Sequence, residues 1–426
     1  MKAIKFVSIL FVIALLVTAC AKAPVATEVP VATEAPAATD APVATEAPAG
    51  EAAVPEACNS DPFGCATFKP GDVVKIGMGA PLTGGYASFG IDISQGGELA
   101  VKDAGTWNGL TFELVAEDDQ GSADLGAAVA NKYVADPAVV AVAGHIFSGA
   151  SASAAPIYEK AGIPMLSPSA SNPPLTSNGW KVFNRIVFTD EQASTAVAKR
   201  LFNELNVRKL AVMHDGEDYG KGLAELVAAK FAEVGGEVVA SEAITPKETD
   251  FTAVLSVVAA KGPDAIFFGG YTAEGGVIAN QMKTTGLENA IFFGCDGTYG
   301  EDFLQKTGVN GEGAWAYSLN PPDSPEKLAF DAAYESAFGQ KPGVLSPYTW
   351  NGYDTVAGLI DRIKAVAITD AAGNVYIPRG ALVDAVRAIK DFKGVSGTYT
   401  CSEIGECNIA GPLFMVIKDG AWVPAQ

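Results

Sequence analysis

Short apolar runs recur along this chain, separated by stretches of helical spacing and by polar, Gly-rich turns. Residues 73–81 (VVKIGMGAP) predict a strand ending in the turn LTGGYASFG. Apolar Ile93, Leu99 and Val101 then follow a helical period over 91–104. Further strands are predicted at 110–117, 139–143, 163–166 and 183–188, with helices at 124–134 and 150–160 between them. Strands alternating with helices of ten or more residues indicate a parallel sheet with right-handed crossovers.

The pattern then restarts. Residues 191–205 carry Ala193, Val197, Leu201 and Leu205 on one stripe. Strands are predicted at 209–214, 238–244, 265–268, 291–294 and 314–319, alternating with helices at 222–234, 251–260 and 275–285. Three more helices, at 324–338, 348–367 and 379–390, precede a last strand at 413–417. Two consecutive arrays of similar size imply an α/β fold of two lobes, with strand ends facing a shared cleft.

One stretch stands out within the first array, residues 144–172, GHIFSGASASAAPIYEKAGIPMLSPSASN. It reads as turn, helix, strand, turn, and each turn sits at the carboxyl end of a strand, where open α/β sheets bind ligands. Ser148 and the 167–171 turn offer hydroxyls and backbone N–H groups, and a helix N-terminus behind such a turn favours an anion such as a carboxylate. Ser-rich turns are ordinarily helix caps, but capping and ligand binding use the same donors.

The remaining chemistry narrows the classes. In 426 residues, 49% hydrophobic, there is ample core for one large or two medium domains. A net charge of −20 without a basic run past the extreme N-terminus argues against nucleic acid. Only two His, His145 and His214, are present, which supplies zinc sites and His-based triads poorly. His145 precedes Ser148 by three residues, yet no third group orients it and no G-x-S-x-G elbow is present, so it reads as a hydrogen-bonded structural His. His214-Asp215 ends a strand and reads as ordering the Tyr219 loop. No metal site and no cofactor is expected.

Residues 1–20 have Lys2 and Lys5, a short apolar core and the ending LVTAC. That pattern is a secretory signal, too short in its core for a confident span. The ending resembles the lipobox of bacterial lipoproteins, which makes Cys20 the lipidated first residue of the mature chain. An ordinary signal ending near a Cys is the alternative. Residues 21–56 repeat ATEVP, ATEAP, ATDAP and ATEAP with no large apolar side chain, so they form no core. Extended at about 3.1 Å per residue, such a tether reaches on the order of 100 Å. Outside the cytoplasm the near neighbours Cys58 and Cys65, and Cys401 and Cys407, are expected to pair, leaving Cys295 as a buried free thiol.

From about residue 72 to 423 the chain resembles the branched-chain-amino-acid type of solute-binding protein of ABC transporters. The segments that carry the resemblance are IGMGAPLTGGYASFG, EDDQGS with ANKYV, the 144–172 stretch, HDGEDYGKGLA, ITPKETDFTAVL, FFGGYTAEGG and FFGCDG, in that order and spacing. The resemblance implies two doubly wound parallel-sheet lobes joined by a three-segment hinge, the first of 72–189 plus 320–409, the second of 190–319 plus 410–426. It implies a ligand α-carboxylate on Ser148, Ser169, Ala170 and Ser171, with backbone help, and a ligand ammonium on Asp296, where the family often has Glu. The shorter side chain then shifts the ligand or admits a water. Phe89, Phe147, Tyr219 and Tyr271 would line the side-chain pocket, with Glu274 and Trp350 as rim candidates. Phe147 stands where some relatives have a Cys.

The resemblance thus implies a monomeric, lipid-anchored receptor on the outer face of the cytoplasmic membrane, not an enzyme. It would bind a small aliphatic amino acid and deliver it to ABC permease and ATPase subunits. An amide or urea receptor on the same scaffold, or a sensing subunit for a signalling partner, are the alternatives.

Overall fold

The structure, a computed structural model, describes residues 54–319, 321–407 and 411–425. Cys20, the signal and almost all of the tether lie outside the described residues.

Two sheets organise the described chain. The first has five parallel strands in the order Thr111–Asp118, Val73–Ala80, Val139–Val142, Met165–Ser167, Phe183–Arg185. Its central strands are near-continuous apolar runs, as expected for strands covered by helices on both faces; Val139–Val142 is buried at every position. The second sheet runs Ala421–Pro424, Leu413–Lys418, Trp315–Ser318, Ile291–Phe293, Ala265–Gly269, Lys209–His214, Glu237–Ala243. Every pairing from Trp315–Ser318 onward is parallel, and the two C-terminal strands add antiparallel. The chain leaves the first sheet after Arg185, enters helices Pro325–Phe338 and Thr349–Val366 beside it after Ser318, and returns to the second sheet at Leu413.

The elements fall where the pattern puts them, with physical exceptions. The strand expected at 183–188 stops at Arg185, because the next residues leave the sheet to cross to the second lobe. The helix expected over 191–205 starts at Asp190 with a Thr189–Gln192 capping box, then loosens to a π-helix at Arg200–Glu204. Several short strands were not expected, among them Cys65–Phe68, paired antiparallel with Val375–Pro378, and the final strand Ala421–Pro424, whose burial does not alternate. Both expected disulfides are formed, Cys58–Cys65 and Cys401–Cys407.

Two backbone contacts set the positions that matter below. A Cβ on Gly96 would lie 2.3 Å from the Thr349 carbonyl oxygen, and one on Gly352 would lie 2.2 Å from that of Ile93. Helices Ala87–Ala104 and Thr349–Val366 therefore touch backbone to backbone, which no other residue allows. In the second lobe, Gly220 and Gly269 meet in the same way, a Cβ on Gly269 lying 2.2 Å from the Gly220 oxygen. That contact holds Tyr219 and Tyr271 side by side.

Candidate functional site

The first lobe contributes two turns. Phe147 is the N-cap of helix Ser148–Ala161, and its ring cannot accept a hydrogen bond, so no side chain caps that helix. The first-turn N–H groups are thus available to an anionic ligand oxygen. Ser148 lines the same space as Ser169 from the second turn. The hydroxyls are partly committed: Ser169 Oγ donates to the Ile146 carbonyl (2.6 Å), and Ser148 Oγ accepts from Asn172 N (3.3 Å). The first-turn backbone donors are therefore freer than the two hydroxyls. Ala170 and Ser171 are buried one layer behind. Ala170 N donates to Ser167 Oγ (3.0 Å), while its carbonyl accepts from Arg185 Nη1 (3.2 Å).

The second lobe contributes Asp296, 4% exposed, just after strand Ile291–Phe293. Tyr219 OH donates to its Oδ1 at 2.5 Å. Tyr348 OH, from the first lobe, donates to its Oδ2. Burial raises the Asp296 pKa, and the hydroxyls of Tyr219, Tyr348 and nearby Tyr317 pull it partway back. No Lys, Arg or His among the described residues hydrogen-bonds this carboxylate.

Aromatic rings from both lobes close the space. Phe147 and Tyr271 stack face to face across the lobes, centroids 4.2 Å apart and planes 5° apart. Phe89 stands edge-on to both, at 6.1 and 6.2 Å. Tyr86 leans on the same pair and reaches Glu274 Oε1 (3.3 Å). Other contacts span the lobes here: Asn172 Nδ2 to the Asp218 carbonyl (2.6 Å) and Ser88 Oγ to Asp302 (2.6 Å). The cavity bordered by Phe89, Phe147, Ser148, Ser169, Tyr219, Tyr271, Asp296 and Tyr348 is ≈ 20 Å³. Larger grooves, ≈ 660 Å³ beside Phe330 and ≈ 840 Å³ beside Phe63, open on the first lobe without joining the two sheets.

Seven of the nine residues expected in a ligand site thus border one space; Ala170 and Ser171 support it from behind. Tyr348 was missed, since it follows a Pro in SPYTW with no strand end to mark it. Trp350, expected at the rim, is elsewhere. Its indole N–H donates to Asp331 (2.7 Å) and it packs with Leu99, Phe330 and Tyr334, because it falls on the helix face turned from the cleft. Glu274 is buried rather than rim-exposed, and accepts from Lys247 N (2.9 Å). His145 is structural, held by Asp119 (2.8 Å) and Tyr158 (2.9 Å). His214 Nδ1 accepts from Gly216 N, ordering the turn before Tyr219. Cys295 is a buried free thiol, its pKa pushed up to about 12 by burial.

Behind the turn, Asp190 is fully buried, and neither carboxylate oxygen meets a donor in hydrogen-bond geometry; Arg185 Nε also lacks one. Burial raises the Asp190 pKa to about 7; the nearby Ser171 hydroxyl and Arg185 oppose the rise, and the Asp296 charge adds to it.

Among curated relatives, the Leu/Ile/Val-binding protein homolog 1 of Brucella suis biovar 1 is 31% identical over 356 residues, 82% of this chain and 91% of the relative. The structure resembles the leucine binding protein LivK of Thermotoga maritima, with TM-score 0.75, 28% identity, and coverage of 83% of this chain and 98% of that one. It also resembles the branched-chain amino acid transporter substrate binding protein LivJ of Streptococcus pneumoniae, solved with isoleucine: TM-score 0.72, 28% identity, 82% and 97% covered. These neighbours are substrate-binding proteins, not enzymes. Residues 73–415 match the family described as periplasmic binding protein, and the chain, an α/β protein of parallel-sheet lobes, belongs to that family.

Proposed function

We propose that this chain is the receptor of an ABC importer for a small α-amino acid, one with an aliphatic side chain. The observation that carries this reading is convergence: an uncapped helix N-terminus of one lobe and a buried, cation-free carboxylate of the other border the same aromatic space. An α-amino acid carries the two complementary charges about one atom apart. Its carboxylate would take the first-turn N–H groups and its ammonium would take Asp296, a charge-assisted contact that strengthens as water leaves.

A space of ≈ 20 Å³ admits about one water, so entry needs the lobes apart. Ligand bridging then shifts the open–closed population toward closure, with motion in the segments that cross between the sheets. The family is extracytoplasmic. Lipidation at Cys20 and a tether over 21–56 would hold this monomeric receptor on the outer face of the membrane, within reach of permease and ATPase subunits. No helix among the described residues is long and apolar enough to cross a membrane.

Native mass spectrometry of the purified protein, followed by titration of ligand-stripped protein with amino acids, amides and urea, tests the reading. Retained or added aliphatic amino acid is the expected result; stabilisation only by urea-like compounds would overturn it. Asp296→Ala is expected to weaken amino-acid binding by roughly 10- to 100-fold, the worth of one charged hydrogen-bonding contact, while leaving the far-UV spectrum unchanged.

A further inference from the structure

We infer that the cleft accepts 2-oxo acids as well as their parent amino acids, and that Tyr348 is the residue that permits it. This rests on the proposed reading of the cleft as a carboxylate clamp.

A buried acid that only a ligand ammonium can satisfy rejects an analogue lacking that group, because the acid is then left unpaired; such sites discriminate by about 10⁴–10⁵. Asp296 is not in that position. Its Oδ1 accepts from Tyr219 of its own lobe (2.5 Å), and its Oδ2 accepts from Tyr348 of the opposite lobe. Each carboxylate oxygen keeps a second acceptor position for a ligand ammonium. When no ammonium arrives, the protein's own hydroxyls already cover both oxygens.

Charge follows the same logic. Arg185, the buried cation that acts on Asp190, is tied to the carbonyls of Ala170 and Asn172, to Thr176 and to Glu406, and does not hydrogen-bond Asp296. Burial raises the Asp296 pKa against the pull of its tyrosine partners, so it takes up a proton more readily than an exposed Asp. A protonated Asp296 keeps both tyrosine donors and gains one O–H, which can donate to a 2-oxo oxygen. The ligand carboxylate stays on the first lobe in either case.

Tyr348 makes this arrangement because it is built into place. It precedes helix Thr349–Val366, which is seated at the Gly96–Gly352 contact. The residues on either side are pinned by one buried acid: Ser346 Oγ and Thr349 Oγ1 both donate to Asp92 Oδ2 at 2.6 Å. The hydroxyl therefore reaches Asp296 only when the lobes meet, at the moment a ligand without an ammonium would otherwise leave the acid bare.

The test is calorimetric titration of ligand-stripped protein with matched pairs: valine and 3-methyl-2-oxobutanoate, leucine and 4-methyl-2-oxopentanoate, phenylalanine and phenylpyruvate. The expected result is at least one pair whose two members bind within about 100-fold of each other, well inside the range of ammonium-dependent sites, with the gap widening at least about tenfold in Tyr348→Phe. Amino acids that bind while every matching oxo acid is weaker than that overturn the inference and leave the amino-acid reading intact. A gap unchanged in Tyr348→Phe overturns the role of Tyr348. Binding of oxo acids alone supports their acceptance but overturns the pairing with amino acids and the amino-acid reading, and no binding by any pair overturns the whole inference. If Tyr348→Phe does not fold, Tyr219→Phe removes the other donor and is expected to widen the same gap; no widening counts equally against the proposal.

Discussion

Replacing Asp190 with Asn should make this protein gain stability relative to wild type as pH rises. Asp190 is wholly buried at the first turn of helix Asp190–Lys199, with neither oxygen in hydrogen-bond geometry with a donor. The helix N-terminus favours its charge by only about 0.3–1 kcal/mol, and Arg185 and Ser171 offset more, yet burial still lifts the pKa from 3.8 to about 7. At 1.36 kcal/mol per unit, that rise is worth about 4 kcal/mol.

The sign follows from linkage. The folded state holds the proton more tightly than the unfolded state, so the protonated form's contribution is fully present below pH 3.8 and is lost as pH rises to about 7. The amide of Asp190→Asn cannot ionise. Whatever constant cost that amide carries cancels when two pH values are compared, and Asp92 and Asp215, also raised by burial, to about 6 and about 7, are common to both proteins. Removing the Asp190 charge also eases ionisation of Asp296, which acts in the same direction. Urea unfolding of ligand-stripped wild type and Asp190→Asn at pH 4 and pH 8 should show the variant gaining about 2–4 kcal/mol between the two, relative to wild type. The same stability difference at both pH values would refute the reasoning, and would mean that water or Arg185 keeps Asp190 ionised throughout.

Two further outcomes are expected, besides those for Asp296 and Tyr348. Gly352→Ala places a methyl 2.2 Å from the Ile93 carbonyl, so helices Ala87–Ala104 and Thr349–Val366 must separate. Thermal unfolding should show a loss of about 1–3 kcal/mol, and titration should show weaker binding, because Phe89 and Tyr348 ride on those helices; unchanged affinity would break the link between helix seating and the cleft. Cys20→Ser should move the protein from the membrane fraction to the soluble fraction if a lipid on Cys20 is its anchor, and continued sedimentation with membranes would remove that role.

How much of this was readable from the chain depends on what each feature is made of. The two sheets were legible because parallel strands buried on both faces are apolar throughout, as in VVAV and AIFFG, and because helices of regular period separate them. The terminal edge strand Ala421–Pro424 was not, since AWVP has exposed and half-buried positions and a Pro at its end. The first-lobe turn was legible as a place but not as chemistry. Sequence shows that Ser148, Ser169 and Ser171 are present; it does not show that Ser169 gives its hydroxyl to Ile146 while Phe147 leaves the helix uncapped. Asp296 was legible from a strand end, but its partners were not. Tyr219, 77 residues away, is brought by the folding of the second lobe itself, and Tyr348, 52 residues away, only by closure of the two lobes. Trp350 and Tyr348 show the limit most clearly. Two positions apart on one aromatic segment, they face opposite ways, and the Gly96–Gly352 contact, not any local preference, decides which one enters the cleft. Chemistry held by one strand end is written locally; chemistry shared across a hinge is written in the packing that aims it.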